Sequence, residues 1–183
     1  RQRQEHWGDQ GYRVLGVAKK EVPPQRVYKR EAESELTFIG FLLFFDPPKP
    51  GVHKAIADLR ALGVQLKIIT GDSRRVARHV AEAVGLEVTG VLTGAEIDDL
   101  RDEALWQMAE RSNLFVEVDP NQKERIISAL QKMGHVVGYM GDGINDAPAL
   151  HAADVGVSVD SAVDVAKEAS DFVLLQQDLD VLR

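Results

Sequence analysis

The sequence predicts an α/β protein built on a mostly parallel, Rossmann-like sheet flanked by helices. Three observations carry this expectation. Short apolar runs alternate with amphipathic stretches from Leu36 to Leu175, the pattern of successive βαβ units. Several amphipathic stretches close on a glycine (Gly63, Gly85, Gly134), the residue that tolerates the left-handed conformation after a helix. Several apolar runs end in polar turns rich in Gly, Asp and Thr, and ligands of open α/β sheets bind beyond the carboxyl ends of strands.

Taken in order, Gly11 to Ala18 alternates like a strand, Val22-Pro23-Pro24-Gln25-Arg26 breaks it, and Lys29 to Glu35 is a charged connector. This part is too short to bury a core of its own, so residues 1–35 read as the tail of a neighbouring domain and 36–183 as the main one. Leu36 to Phe45 is apolar at nearly every position, as expected of a strand covered on both faces. Asp46-Pro47-Pro48-Lys49-Pro50 ends it, because proline cannot continue a ladder. A helix should follow with Val52, Ala55, Ile56, Leu59 and Leu62 on one face. Next come a strand over Val64–Ile69 and a helix carrying Val76, Ala77, Val80 and Val84. Val88–Leu92 is a short strand, and Thr93 to Ser112 is polar and helical with Leu105, Met108 and Ala109 inward.

Leu114–Val118 is a strand. The helix after it starts with a strong signal: Asp119 as N-cap, Pro120 at the first helical position and Gln122 at the third for a capping box. Its inward residues are Ile126, Ile127, Leu130 and Met133. A strand through Val136, Val137, Tyr139 and Met140 runs into Gly141-Asp142-Gly143-Ile144-Asn145-Asp146, with a helix from about Pro148. Val155–Val159, a short helix over Val163–Ala169 and a strand over Phe172–Leu175 complete the pattern.

Composition narrows the function. A net charge of -7 and the lack of a basic run argue against nucleic acid as a partner. The absence of cysteine excludes disulfides, a thiolate nucleophile and a cysteine-based zinc site. No signal peptide is visible, and the longest apolar run, Leu36–Phe45, is about half the ~20 residues that cross a membrane. The chain is therefore expected to be soluble. Its abrupt start without an initiator Met suggests a piece of something longer.

Three strand ends carry chemistry. At Thr70-Gly71-Asp72 a hydroxyl and backbone N–H groups precede a helix and suit a phosphoryl oxygen, although an ordinary N-cap has the same residues. Lys123 falls in the first turn of the helix begun by Asp119, where a cation opposes the helix dipole unless an anion is held nearby; a solvated lysine beside Glu124 is the plainer alternative. Asp142, Asn145 and Asp146 supply hard oxygen ligands of the kind Mg²⁺ requires, whereas a helix-capping turn needs only one such residue. A hydroxyl, a lysine and two aspartates at the ends of one parallel sheet form equipment for phosphoryl transfer, which depends on positioning and charge neutralisation. A nucleophile is missing. Asp46 follows an apolar strand, but Pro47 and Pro48 remove the N–H donors a phosphate would need, so Asp46 reads as a hinge or nucleotide-contacting position.

Together, Asp46-Pro47-Pro48-Lys49, Thr70-Gly71-Asp72, Lys123 and the run from Gly141 to Leu150 resemble the phosphorylation domain of P-type cation-transporting ATPases, within the haloacid dehalogenase-like superfamily. The resemblance covers about Leu36 to the C-terminus, with residues 1–35 similar to the last strand of that family's nucleotide-binding domain and its hinge. It implies that Thr70 and Gly71 hold phosphoryl oxygens, with Asp72 in the same motif. It implies that Lys123 neutralises their charge, that Asp142 ligates Mg²⁺, and that Asn145 contacts the phosphoryl group. Asp146 would order the loop, pair with Lys123 and lie at the metal. Asp46 and Lys49 would sit at the hinge on the nucleotide side, for ATP. The family usually has Arg where Lys49 stands, and Lys lacks the bidentate fork. Phe44 to Lys49, Met140 and the run from Gly156 to Ala166 look closest to bacterial magnesium-transporting ATPases, with proton pumps next.

The family's phosphorylated Asp, in an Asp-Lys-Thr-Gly-Thr motif, is absent from these residues. The resemblance therefore implies a cytoplasmic fragment of an inner- or plasma-membrane pump, inactive alone. Its partners would be the upstream phosphorylation strand, the nucleotide-binding and actuator domains and the membrane helices. Without the nucleophile-bearing first strand its sheet should have an open edge, paired with a second copy as a homo-oligomer or accommodated by rearrangement. A non-catalytic Mg²⁺/phosphate-binding module and a haloacid dehalogenase-like phosphatase are the alternatives; the latter needs an Asp-x-Asp or Asp-x-Thr motif, which the chain lacks.

Overall fold

The computed structural model describes residues 2–24 and 27–176; Gln25 and Arg26 of the expected break, and the end of the expected 36–183 unit beyond residue 176, lie outside the described residues. The chain forms α1 (Gln2–Asp9), β1 (Arg13–Lys19), a 3-10 turn at Arg30–Glu33, β2 (Thr37–Phe44), α2 (Val52–Ala61), β3 (Ile68–Ile69), α3 (Arg74–Ala83) and β4 (Val91–Thr93). Then follow α4 (Gly94–Asp99), α5 (Asp102–Arg111), β5 (Leu114–Val116), α6 (Pro120–Lys132), β6 (Gly138–Met140), a 3-10 turn at Ile144–Asp146, α7 (Ala147–Ala152), β7 (Val155–Val159), α8 (Asp164–Glu168) and β8 (Phe172–Leu174).

The expected parallel α/β architecture is present, in two pieces. One sheet has the order β3-β5-β4 and the other β6-β7-β8, all strands parallel. Among the described residues no ladder joins them. β3, which leads into Thr70-Gly71-Asp72, and β6, which leads into Gly141-Asp142-Gly143, are each an edge. Helix α6 ties the two pieces together. Its Ile126, Ile127 and Leu130 share one core with Phe115 and Val118 from the first sheet region and with Tyr139 and Leu150 from the second.

The predicted helix stops hold: Gly63, Gly85 and Gly134 adopt φ of +83°, +73° and +88° directly after α2, α3 and α6. The capping box of α6 also forms. Asp119 Oδ1 accepts from the Gln122 N–H at 2.8 Å, and the Asp119 N–H donates to Gln122 Oε1 at 2.9 Å.

Several expectations are corrected. The Leu36–Phe45 strand is not a doubly covered strand of the parallel sheet. β2 pairs antiparallel with β1, Arg13 opposite Phe44, and most of its side chains are exposed. A run of apolar residues records that a strand needs cover, not that the same chain supplies it. The Val64–Ile69 strand shrinks to two residues, and the helical stretch after Thr93 breaks into α4 and α5 at Leu100-Arg101. Met108 and Met133, expected inward, are exposed, as is Val136. Helix α1 was not foreseen: its residues are polar apart from Trp7, whose ring meets Phe41 of β2 edge-on at 5.2 Å.

Candidate functional site

The predicted site residues fall into two groups. The first surrounds Asp146. Gln122 is buried and donates through Nε2 to Gly94 O at 3.1 Å and to Asp98 Oδ1 at 2.7 Å, which fastens the start of α6 to α4. Arg125 donates to the carbonyls of Ile97 and Leu100 from the same turn. Lys123, held between these anchors, donates to Asp146 Oδ1 at 2.7 Å. The Tyr139 hydroxyl donates to the same oxygen at 2.8 Å, and the Gly143 N–H donates to Asp146 Oδ2 at 3.1 Å. Burial pushes the Asp146 carboxyl up, but the hydrogen bonds from Lys123, Tyr139 and Gly143 outweigh it and hold the group below the usual carboxylate range. Burial drives the Tyr139 phenol up, and its bond to Asp146 and the charges of Asp146 and Asp142 add to that, so Tyr139 keeps its proton and donates.

Gly141 has a different role from the sharp turn its type suggests. A Cβ there would collide with the Asp146 Cβ and Cγ, so glycine makes the room in which Asp146 folds back over the strand end. The buried Ser158 hydroxyl donates to Gly141 O at 2.9 Å, and the Val163 N–H donates to Asp142 O at 3.1 Å, which fixes the loop backbone from β7 and α8. The Asp142 and Asn145 side chains are exposed at the surface of this loop. Neither makes a hydrogen bond or ion pair with another described residue.

The second group is the turn after β3. The Thr70 hydroxyl accepts from the Asp72 N–H at 3.1 Å, and the Val118 and Glu117 N–H groups donate to the carbonyls of Thr70 and Asp72. Glu117 adopts φ of +57°, a left-handed conformation that a non-glycine residue occupies at a cost, and its Oε1 accepts from the Arg74 N–H at the start of α3. Asp72 is taken by Arg13 of β1 in a two-point pair, Nε to Oδ1 at 2.7 Å and Nη2 to Oδ2 at 2.8 Å. This bond, with the charges of Asp72 and Asp46, raises the Arg13 guanidinium against a smaller loss from burial. Tyr12, Arg13, Gly71, Asp72, Ser73 and Arg75 line a cleft of about 410 Å³ at this junction.

Lys123 and Asp146 thus come together as predicted, 23 positions apart in sequence. Thr70, Gly71 and Asp72 share one turn at the other sheet's edge. Among the described residues no hydrogen bond or ion pair links the two groups. Asp46 and Lys49 lie exposed on the strand exit, with the Asp46 charge felt at Arg13. Sequence reasoning missed Arg13, Tyr139 and Ser158. Arg13 sits on an alternating strand far from any motif, and Tyr139 and Ser158 read as strand core. For Tyr139 the available signal was a polar group two residues before a Gly-Asp-Gly turn.

A haloacid dehalogenase-like hydrolase family model matches residues 4–154. The chain belongs to the haloacid dehalogenase-like hydrolases. Members of this group that transport ions are among its relatives. It is 50% identical over 174 residues to a magnesium-transporting ATPase, P-type 1, of Salmonella typhimurium, a match that covers 94% of this chain and 19% of the relative. The protein of the same description from Escherichia coli K12 is 49% identical over 174 residues, again 94% of this chain and 19% of the relative. Calcium-transporting ATPase 1 of Saccharomyces cerevisiae is 39% identical over 179 residues, 94% of this chain and 19% of that protein. The chain therefore spans about a fifth of the length of these relatives, and this haloacid dehalogenase-like domain matches a part of a larger pump in each. Among its described residues no helix is long and apolar enough to cross a membrane.

Proposed function

We propose that this chain is the phosphoryl-stabilising part of the phosphorylation domain of an ATP-driven P-type cation pump, with magnesium as the transported ion. The observation that carries the reading is the Lys123–Asp146 contact. A lysine in the first turn of one helix, where a cation opposes the helix dipole, is held by a carboxylate of the turn that follows β6. The ion follows the names of the relatives at about half identity. Thr70 and the Gly71 N–H serve as phosphoryl-oxygen ligands, Lys123 neutralises the charge, Asn145 contacts the phosphoryl group, and Asp46 and Lys49 lie on the nucleotide side for ATP.

The donor set suits Mg²⁺, which binds through one or two carboxylates plus substrate phosphate and retained waters. Asp142 offers an exposed carboxylate with no partner among the described residues, and Asp146 keeps lone pairs on Oδ2 beyond its bond from Gly143. No group of three or more His, Asp or Glu side chains that could hold a metal ion gathers among the described residues. Mg²⁺ bound here would neutralise phosphoryl charge.

The phosphorylated Asp comes from elsewhere in the pump, so the chain alone is inactive and works from the cytoplasmic side with the nucleotide-binding and actuator domains and the membrane helices. β3 and β6, the two motif-bearing edges, are the places for the strand that brings that Asp, or for a second copy of the chain when it is absent. The reading keeps residues 1–35 as the remnant of the nucleotide-binding domain and its hinge and 36–183 as the phosphorylation domain, with the β1–β2 ladder crossing that boundary. The test is Asp142→Asn in the full-length protein that carries this chain. Mg²⁺-dependent phosphorylation from ATP should vanish, and phosphoenzyme at normal level would refute the assignment.

A further inference from the structure

Asp146 Oδ1 accepts two donors from different elements, Lys123 of α6 at 2.7 Å and Tyr139 of β6 at 2.8 Å. Lys123 uses one of its three N–H groups there and has no other hydrogen bond among the described residues, which leaves two for a ligand. An ammonium is a point donor, and one oxygen does not by itself fix where its remaining N–H groups aim. The direction is set only if that oxygen is itself immobile. The Tyr139 ring is buried in the core beside Ile126, Ile127 and Leu150, so its hydroxyl is a rigid donor. The Gly143 N–H holds the other oxygen, and Gly141 leaves the space into which the carboxylate is drawn.

We propose that Tyr139 is a positioning residue for phosphoryl transfer: through Asp146 it fixes the direction in which Lys123 presents its free N–H groups. The inference rests on the phosphorylation-domain reading and deepens it. The hydroxyl acts through Asp146, to which it donates. It stops the carboxylate rotating after Lys123, so the ammonium stays where the phosphoryl charge develops. Preorganisation of this kind acts on the rate of transfer and not on ground-state binding of the nucleotide.

The experiment compares phosphorylation from ATP in the full-length protein for wild type, Tyr139→Phe, Lys123→Ala, Lys123→Arg and the Lys123→Arg/Tyr139→Phe double variant. Phenylalanine keeps the buried ring and removes only the donor. Tyr139→Phe should lower the maximal rate about tenfold, the loss of one hydrogen bond to a charged group, with the KM for ATP unchanged. Arginine can hold both Asp146 oxygens with its fork, so in the Lys123→Arg background the same change should cost less than about twofold. A Tyr139→Phe enzyme with wild-type rate while Lys123→Ala is inactive overturns the positioning role and leaves the site reading intact. An equal loss in both backgrounds, or a loss confined to KM, also overturns it, since a merely structural tyrosine would act that way. Full phosphorylation in Lys123→Ala overturns the site reading and this inference together.

Discussion

Two ion pairs flank the candidate site, and they differ in almost every physical respect. Lys123 and Asp146 keep only 12% and 13% of their side-chain surface exposed, and Tyr139 and Gly143 are further donors to the carboxylate. Arg13 and Asp72 have better two-point geometry but are 61% and 22% exposed, and they join β1 to the turn after β3. Water screens the second pair and barely reaches the first. The first is therefore part of the packing of α6 against the Asp142 loop. The second is a surface contact between the hairpin unit and the parallel sheets, easily exchanged for a contact with a ligand or solvent. Good geometry alone does not rank two ion pairs; burial does.

The largest effect expected from this contrast is at Lys123. Lys123→Ala removes one partner of a nearly buried pair and should destabilise the chain by about 3 kcal/mol, the cost of an uncompensated buried carboxylate. Urea unfolding of the 183-residue chain measures it. A midpoint within error of wild type would mean that Asp146 is wetter than its exposure indicates.

Gly141→Ala comes next. The new methyl overlaps the Asp146 side chain, so it should cost about 1–3 kcal/mol by overpacking and displace the carboxylate from Lys123. Gly71→Ala is the control, since a Cβ there comes no closer than 3.5 Å to Val118 O. Equal losses at the two glycines would show that backbone freedom, and not room for Asp146, is what Gly141 provides.

Acid should test the buried pair as well. The folded state holds the Asp146 carboxyl below its unfolded value, so its contribution to stability is fully present above the unfolded value of about 3.9 and is lost as pH falls through the depressed one. The stability gap between wild type and Asp146→Asn should thus be constant above about pH 5 and close only below about pH 4. A gap that narrows between pH 7 and pH 5 would mean that the group is raised, not lowered.

The same contrast explains what was legible in the sequence. The start of α6 could be read in full, because Asp119, Pro120 and Gln122 form a local signal whose partners lie within three positions. Lys123 with Asp146 was reachable through motif resemblance, though the contact spans 23 positions. Arg13 with Asp72 was not, because a 59-residue separation on an exposed strand leaves no periodic trace. β2 misled for a related reason. Phe38, Ile39, Leu42 and Phe44 signal burial that the described residues do not provide, each being more than half exposed. Periodicity reports what a segment needs from its surroundings, and those surroundings extend past this chain if it is one fifth of a pump. Two sheets in place of one continuous sheet have the same cause in this reading: β3 and β6 each offer an edge whose neighbour is a strand the chain does not hold.

The smallest effect is expected at Arg13, and it is the sharpest check on the ranking by burial. Arg13→Ala leaves Asp72 a solvated carboxylate, which water serves almost as well as the guanidinium did. The loss should be about 0.5–1 kcal/mol at low ionic strength, and it should shrink toward zero in 1 M salt, where the Debye length is about 3 Å. The loss in Lys123→Ala should change little over the same range, because salt does not enter its surroundings. If Arg13→Ala instead costs more than about 2 kcal/mol and resists salt, then the hairpin unit is bound to the parallel sheets through this pair as tightly as α6 is bound to its loop. The site's two sides would then move as one body, and Asp72 would not be free to exchange Arg13 for another partner.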